Sequence, residues 1–282
     1  MEHPQEQLAD TNLAIPYQGG WTLLPLLAAA GGAWAFNQEL WADNLTTLGV
    51  MLALIAGSWQ PLWRALTRTD WASPLARWTD WSAEAPMLHW PYVQPGTPGD
   101  HLRHRLSLAK AWWRDVGRLP LAHAIQRAVG TLLVGILLSL ALGRMSLLLT
   151  LIVLALAELA TLWHEGRGAV GALWTGITMV AIPWFLGASL DAPGSIVLPA
   201  ISSVALALMI GLYIQPNGWA LVGPLIGAAL LLWRGNASAV GWLLLLAIPG
   251  LMVLTARPSR KVYRRAVGPF VLAMVVLMAW AL

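Results

Sequence analysis

The chain contains no cysteine among its 282 residues. That single absence removes structural disulfides, thiolate metal sites, iron–sulfur clusters and thiol nucleophiles together. Charge is scarce as well: Asp, Glu, Lys and Arg make up 11% of the residues, where a soluble domain carries roughly a quarter. A water-facing surface cannot be covered at that density. Also missing is the positively charged start of a secretory signal, since the opening MEHPQEQLADTNLAIPYQGG is acidic and predicts a first apolar run that is retained. Lipid attachment is excluded at Cys, and Met1 is not followed by Gly.

What fills the chain is apolar. Hydrophobic residues reach 58% and the mean hydropathy is +0.64, the composition of an all-α integral membrane protein. Apolar runs at 21–37, 43–59, 121–142, 145–163, 169–188, 194–214, 218–233, 237–255 and 267–282 predict about nine transmembrane helices joined by short turns. The whole of 1–282 reads as one polytopic unit. All Lys and Arg except Arg144 and Arg234 fall on one side of these runs, so that side is cytoplasmic by the positive-inside rule. The expected result is a cytoplasmic N-terminus, an external C-terminus and a place in the cytoplasmic (inner) membrane. The opposite turns carry Glu39 and Asp191. A pI near 10.0 would suggest nucleic acid in a soluble protein. Here the cations sit beside spans, so the expected partners are the bilayer, its anionic headgroups and other membrane proteins, with no nucleic acid.

One long stretch, residues 60–120, cannot lie inside lipid. Its second half predicts an amphipathic helix over 100–118, capped by Asp100, in which Leu102, Leu106, Ala109, Trp113 and Val116 recur at steps of four and three. Arg103, Lys110 and Arg114 take the other side, the pattern of a helix lying in the headgroup plane. Docking to a partner protein is the alternative reading. In the first half, Thr69-Asp70-Trp71 recurs as Thr79-Asp80-Trp81, which suggests two short capped turns. Arg64, Arg68, Asp70 and Asp80 form the candidate polar site on this face.

Among 18 tryptophans, Trp21, Trp34, Trp41, Trp59, Trp163, Trp184, Trp219, Trp233 and Trp280 lie near span ends, which predicts interfacial belts. Gly223 and Gly227 would let their helix approach a neighbour closely. Two ionisable residues fall inside predicted spans, Arg127 and Glu158. The turn at Gly143-Arg144 makes their helices an antiparallel hairpin and brings the two to similar depth, so they are expected to form a structural ion pair, with a proton or headgroup site as the rival role. Ser202, Ser203, Thr175 and Thr178 are expected to bond within the helices.

Metal and haem readings find little support. His101 and His104 stand three apart with His89 upstream, but only Asp100 accompanies them. His123 and His164 match in depth, yet both fall at span ends, too shallow for a bis-histidine haem. No metal and no cofactor are expected. Gly-x-Ser-x-Gly is also missing. The span count and loop layout are similar to those of the intramembrane prenyltransferases that act on aromatic acceptors. That resemblance implies magnesium held by aspartate-rich motifs near the second and sixth spans. Here the first position offers Asp70 and Asp80, ten apart, and the second Gln215-Pro216-Asn217-Gly218 without an acid, so a diphosphate would lack its metal. The expectation is therefore a non-catalytic subunit, scaffold or lipid-handling protein. A membrane-embedded transferase of lipid or isoprenoid substrates and a transporter are the alternatives.

Overall fold

A computed structural model describes residues 19–38, 44–67, 69, 71, 74, 88, 89, 91, 93–162, 169–190, 195–256 and 258–282. Among them there is no strand. The helices are α1 (Leu24–Phe36, entered through a 3-10 turn Gly19–Leu23), α2 (Leu45–Thr67), α3 (Pro98–Trp112), α4 (Arg118–Leu142), α5 (Arg144–Leu162), α6 (169–189), α7 (Val197–Tyr213), α8 (Trp219–Trp233), α9 (Ala237–Thr255) and α10 (Arg260–Ala281).

Their ends are chemically marked. Asn44 caps α2 by accepting from the Thr47 amide at 3.1 Å, and Asn236 caps α9 from the Ala239 amide at 3.2 Å. Gly143, at φ 100°, is the whole connection between α4 and α5. Only a residue without Cβ tolerates that backbone, so the hairpin expected there forms. At α3 the structure corrects the expected cap. Thr97, not Asp100, is the N-cap, with Pro98 in the first turn. Asp100 instead reaches back to accept from the Gly96 amide at 3.0 Å, a variant of the capping box.

Three helices contain a π-turn, at Ile55–Trp59, Trp113–Gly117 and Ile177–Ala181. The second joins α3 to α4, so the amphipathic segment and the apolar helix after it form one unbroken helical path. Likewise α2 runs on through Arg64 instead of stopping at Trp59, and α10 starts earlier than its apolar run, at Arg260. Polar residues extend these helices past the apolar boundary because a backbone helix carries on into water wherever nothing breaks it.

Helices α2, α4 and α5 pack on one another, and α7 to α10 pack in sequence order. Between the two groups lie α1 and α6, the most intimate pair in the molecule. A Cβ on Gly32 would overlap the Trp184 carbonyl, and one on Gly187 would overlap the Ala29 carbonyl. Asn37 Nδ2 donates to the Leu190 carbonyl and locks the far end. The two glycines mark one crossing point, and Asn37 meeting Leu190 beyond it in both helices makes α1 and α6 parallel. Gly31 meeting Ala279 and Gly268 meeting Trp21 show that α10 is parallel to them too. Gly223 does approach its neighbour closely, against Met209 and Tyr213 of α7.

Among the described residues, four helices are long and apolar enough to cross a membrane: Leu45–Thr67, Leu121–Leu142, Ala237–Thr255 and Lys261–Ala281. Four shorter apolar helices accompany them, Trp21–Phe36, Leu173–Ser189, Val197–Tyr213 and Trp219–Trp233. The outer faces of α4 and α9 are apolar and uncovered, with Leu133, Leu137, Trp242 and Met252 exposed, as a lipid-facing surface requires. Tryptophan behaves less uniformly than expected. Trp34, Trp219, Trp233 and Trp280 are exposed, but Trp21, Trp59 and Trp184 are buried. An indole near a span end can equally fill a gap between helices and donate its N–H there.

Candidate functional site

The α2, α4 and α5 group is held by hydroxyls. Trp59 Nε1 donates to Thr150 Oγ1 at 2.9 Å, and Thr150 and Ser139 hydroxyls share a 2.6 Å hydrogen bond. Ser58 Oγ donates to the Thr131 carbonyl at 2.9 Å, with Gly135 leaving the room this needs. On the other side, Trp184 Nε1 donates to Ser202 Oγ at 3.1 Å. Ser202 and Ser203 also donate to the Pro199 carbonyl, and Thr178 to the Trp174 carbonyl. The mid-helix hydroxyls therefore bond their own helix or a neighbour, as expected.

Two buried tyrosines tie the second group. Tyr263 donates its hydroxyl to the Tyr213 carbonyl at 3.0 Å, and Tyr213 donates its own to the Ala247 carbonyl at 3.1 Å. The first bond satisfies a carbonyl that the end of α7 leaves without an intrahelical partner. Gly250 clears the space for the Tyr213 hydroxyl. Sequence reading missed this chain of contacts. Its signal was the burial-prone Tyr263 amid the basic run Arg260 to Arg265, where a tyrosine is out of place on a purely solvated face.

At the basic ends of the helices, Gln60 Nε2 donates to the Thr22 carbonyl at 2.9 Å, and Arg64 Nη2 lies 3.4 Å from Gln60 Oε1. Arg64 thus stands half-buried beside the entry to α1. Its expected companions Arg68, Asp70 and Asp80 lie outside the described residues. So do His164, Trp163 and the second Thr-Asp-Trp turn. Arg127 and Glu158 stand on the two arms of the α4–α5 hairpin, both exposed. On α3 and the turn after it, Arg103 pairs with Asp100 at 2.5 Å and Arg114 with Asp115 at 2.8 Å.

Along α3 the inward side is Ser107, Ala111 and Trp112, all buried. Ser107 Oγ accepts from the Leu88 amide at 2.9 Å. The expected apolar seam is turned outward: Leu102 is 51% and Leu106 40% exposed, with Trp113 half-buried. Lys110 and Arg114 are exposed on its flanks. The Gly96 amide, then the Arg103 side chain, hold the Asp100 carboxyl below the ordinary carboxylate range. Asp115 is lowered by its hydrogen bond from Arg114, whose guanidinium is raised in turn. His101 and His104 are exposed, and among the described residues no three of His, Asp and Glu gather.

A crevice opens between α1, α2, α5 and α6, lined by Pro25, Trp59, Gln60, Trp63, Thr178 and Pro183 among others. It admits the centre of a water-sized sphere over about 10 Å³, roughly the room of one water. No family model matches the chain, and neither a curated protein nor a solved structure matches it.

Proposed function

We propose that this chain is a multi-pass protein of the cytoplasmic membrane with a non-catalytic role, as a scaffold or subunit in a larger membrane assembly. The observation that supports this reading is where the intramembrane polar groups go. Trp59, Thr150, Ser139, Ser58, Trp184 and Ser202 are committed to bonds between or within helices. A small-molecule site commonly occupies several hundred Å³, far beyond the crevice beside Trp63. In this reading Arg127 and Glu158 steady the α4–α5 hairpin and carry no chemistry. The outward seam of α3, apolar at Leu102 and Leu106 and basic at Lys110 and Arg114, lies on the anionic headgroups of the cytoplasmic leaflet.

Native mass spectrometry of the protein extracted from its own membrane tests the role. A complex of fixed stoichiometry with a second membrane protein is the expected result. A monomer that turns over lipid or isoprenoid substrates, and loses turnover when Arg64 is replaced by Gln, would overturn the reading.

A further inference from the structure

The outward faces of the helices carry their charges and exposed tryptophans at short intervals. On the α4–α5 hairpin, Arg127, Arg144 and Glu158 are all exposed, and the outward residues between them, such as Leu137 and Leu151, are apolar. At 1.5 Å per residue, Arg127 and Arg144 bound an uncharged stretch of about 25 Å, and Arg144 and Glu158 one of about 21 Å. The exposed Trp219 and Trp233 mark the two ends of α8 about 21 Å apart, with the exposed Arg234 immediately beyond. On α10 the exposed Arg265 and Trp280 stand about 22 Å apart. Arg234 donates to the Leu282 carbonyl at 3.2 Å, so the outer ends of α8 and α10 are level. An ordinary hydrocarbon core is roughly 30 Å thick.

We propose that the lipid-facing belt of this protein is only about 21 to 25 Å thick, and that the partner it fits is a bilayer of short acyl chains. The inference rests on the multi-pass reading above. Short spans set the thickness, because a longer helix such as α9 fits a thin layer by tilting, whereas a short one cannot lengthen and tilt only reduces its reach. Arginine can carry its charge outward along its stem, but the side chain of Glu158 is too short to do so from within hydrocarbon. A thin belt puts Arg127 and Glu158 at the cytoplasmic boundary of the hydrocarbon, which removes the cost of two exposed ionisable residues inside lipid. It also seats the tryptophans at the two ends of α8 at both headgroup levels together.

Thermal unfolding of the whole protein in nanodiscs of dimyristoleoyl, dioleoyl and dierucoyl phosphatidylcholine, lipids of increasing chain length, tests it. The midpoint should be highest in the shortest lipid and fall with each lengthening. A midpoint that is flat across the series, or highest in a longer lipid, would overturn the proposal. Glu158→Leu lengthens the uncharged stretch of α5, so it should leave the midpoint unchanged in dimyristoleoyl lipid and raise it in dierucoyl lipid. An equal shift in both would count against a boundary at Glu158, and if the variant fails to fold, the unsubstituted series still decides. Arg118→Cys and Arg144→Cys, at the two ends of α4, separate this inference from the reading beneath it. Modification of both by an impermeant maleimide from the same side of a vesicle would overturn the multi-pass reading and the belt with it. Modification from opposite sides with a flat chain-length series would overturn the thin belt alone.

Discussion

The α1–α6 contact predicts the most severe consequence of adding a single methyl group. In Gly32→Ala the new Cβ overlaps the Trp184 carbonyl oxygen and lies 3.0 Å from its carbon and 3.1 Å from the Ala188 amide. All three obstacles are backbone, so no side chain can swing away. Ordinary carbon contacts are at about 3.5 to 4.0 Å, and the helices must part by about 1 Å to restore them. A gap of that size forfeits roughly a quarter to a half of each dispersion contact along the seam. It also pulls Asn37 away from the Leu190 carbonyl. Overpacking commonly costs about 1 to 3 kcal/mol, and the rigid obstacle puts Gly32→Ala at the upper end, roughly a hundredfold in the folding equilibrium. Gly187→Ala meets Ala29 in the same way from the opposite helix. One separation relieves both clashes, so the double variant should lose clearly less than the sum of the singles. Gly49→Ala, with nothing within 4 Å, is the matched control. Unfolding in mixed micelles, followed by tryptophan fluorescence, measures all four. If Gly32→Ala unfolded together with Gly49→Ala, the backbone contact between α1 and α6 would not exist in the protein.

The tyrosine ties predict that Tyr263→Phe, which removes the donor to the Tyr213 carbonyl, costs about 1 kcal/mol in the same assay, and an unchanged midpoint would refute the bond. Because the chain has no native cysteine, single-cysteine labelling can place α3. With the seam on lipid, Leu106→Cys should resist a membrane-impermeant maleimide that modifies Arg105→Cys, and equal labelling of the two would count against the membrane contact. Asp100 has a lowered native pKa, so its hold on the Gly96 amide is complete above the ordinary carboxylate value of about 3.9. That hold is lost as pH falls through the lowered native value. The Gly96 amide resonance should therefore titrate with a midpoint below about 3.9, and a midpoint at or above it would contradict the geometry.

Helix positions were legible in the sequence because each is a local matter. Gly143 marks the turn that the sequence places between α4 and α5, and α5 to α9 begin and end within about three residues of their apolar runs. The α3 seam was legible too, since Leu102 and Leu106 repeat on one face whatever that face meets. Boundaries failed where polarity and helicity part company. Arg64 and Arg260 are too polar for a span, yet nothing near them breaks a helix, so α2 and α10 run on. Thr97 was overlooked as a cap because the run of Pro and Gly around it reads only as a loop. The candidate polar site was legible as composition, but only Arg64 of it has described surroundings.

From the sequence alone came the helical, apolar character of the chain, the hairpin at Gly143, the asymmetry of its basic residues and the exclusion of all thiol chemistry. Each follows from composition or from neighbours a few residues apart. Tertiary structure decided which helices meet. Gly31, Gly32 and Gly187 are two small clusters in runs rich in small residues, and nothing in either run names the other as its partner. Pairing of α1 with α6, more than 140 residues away in sequence, depends on both backbones presenting the same concave shape at the same depth. The roles of Trp59, Trp63 and Trp184 were settled there as well, because an indole near a helix end can lie on lipid or between helices. Only the neighbour on its other side determines which.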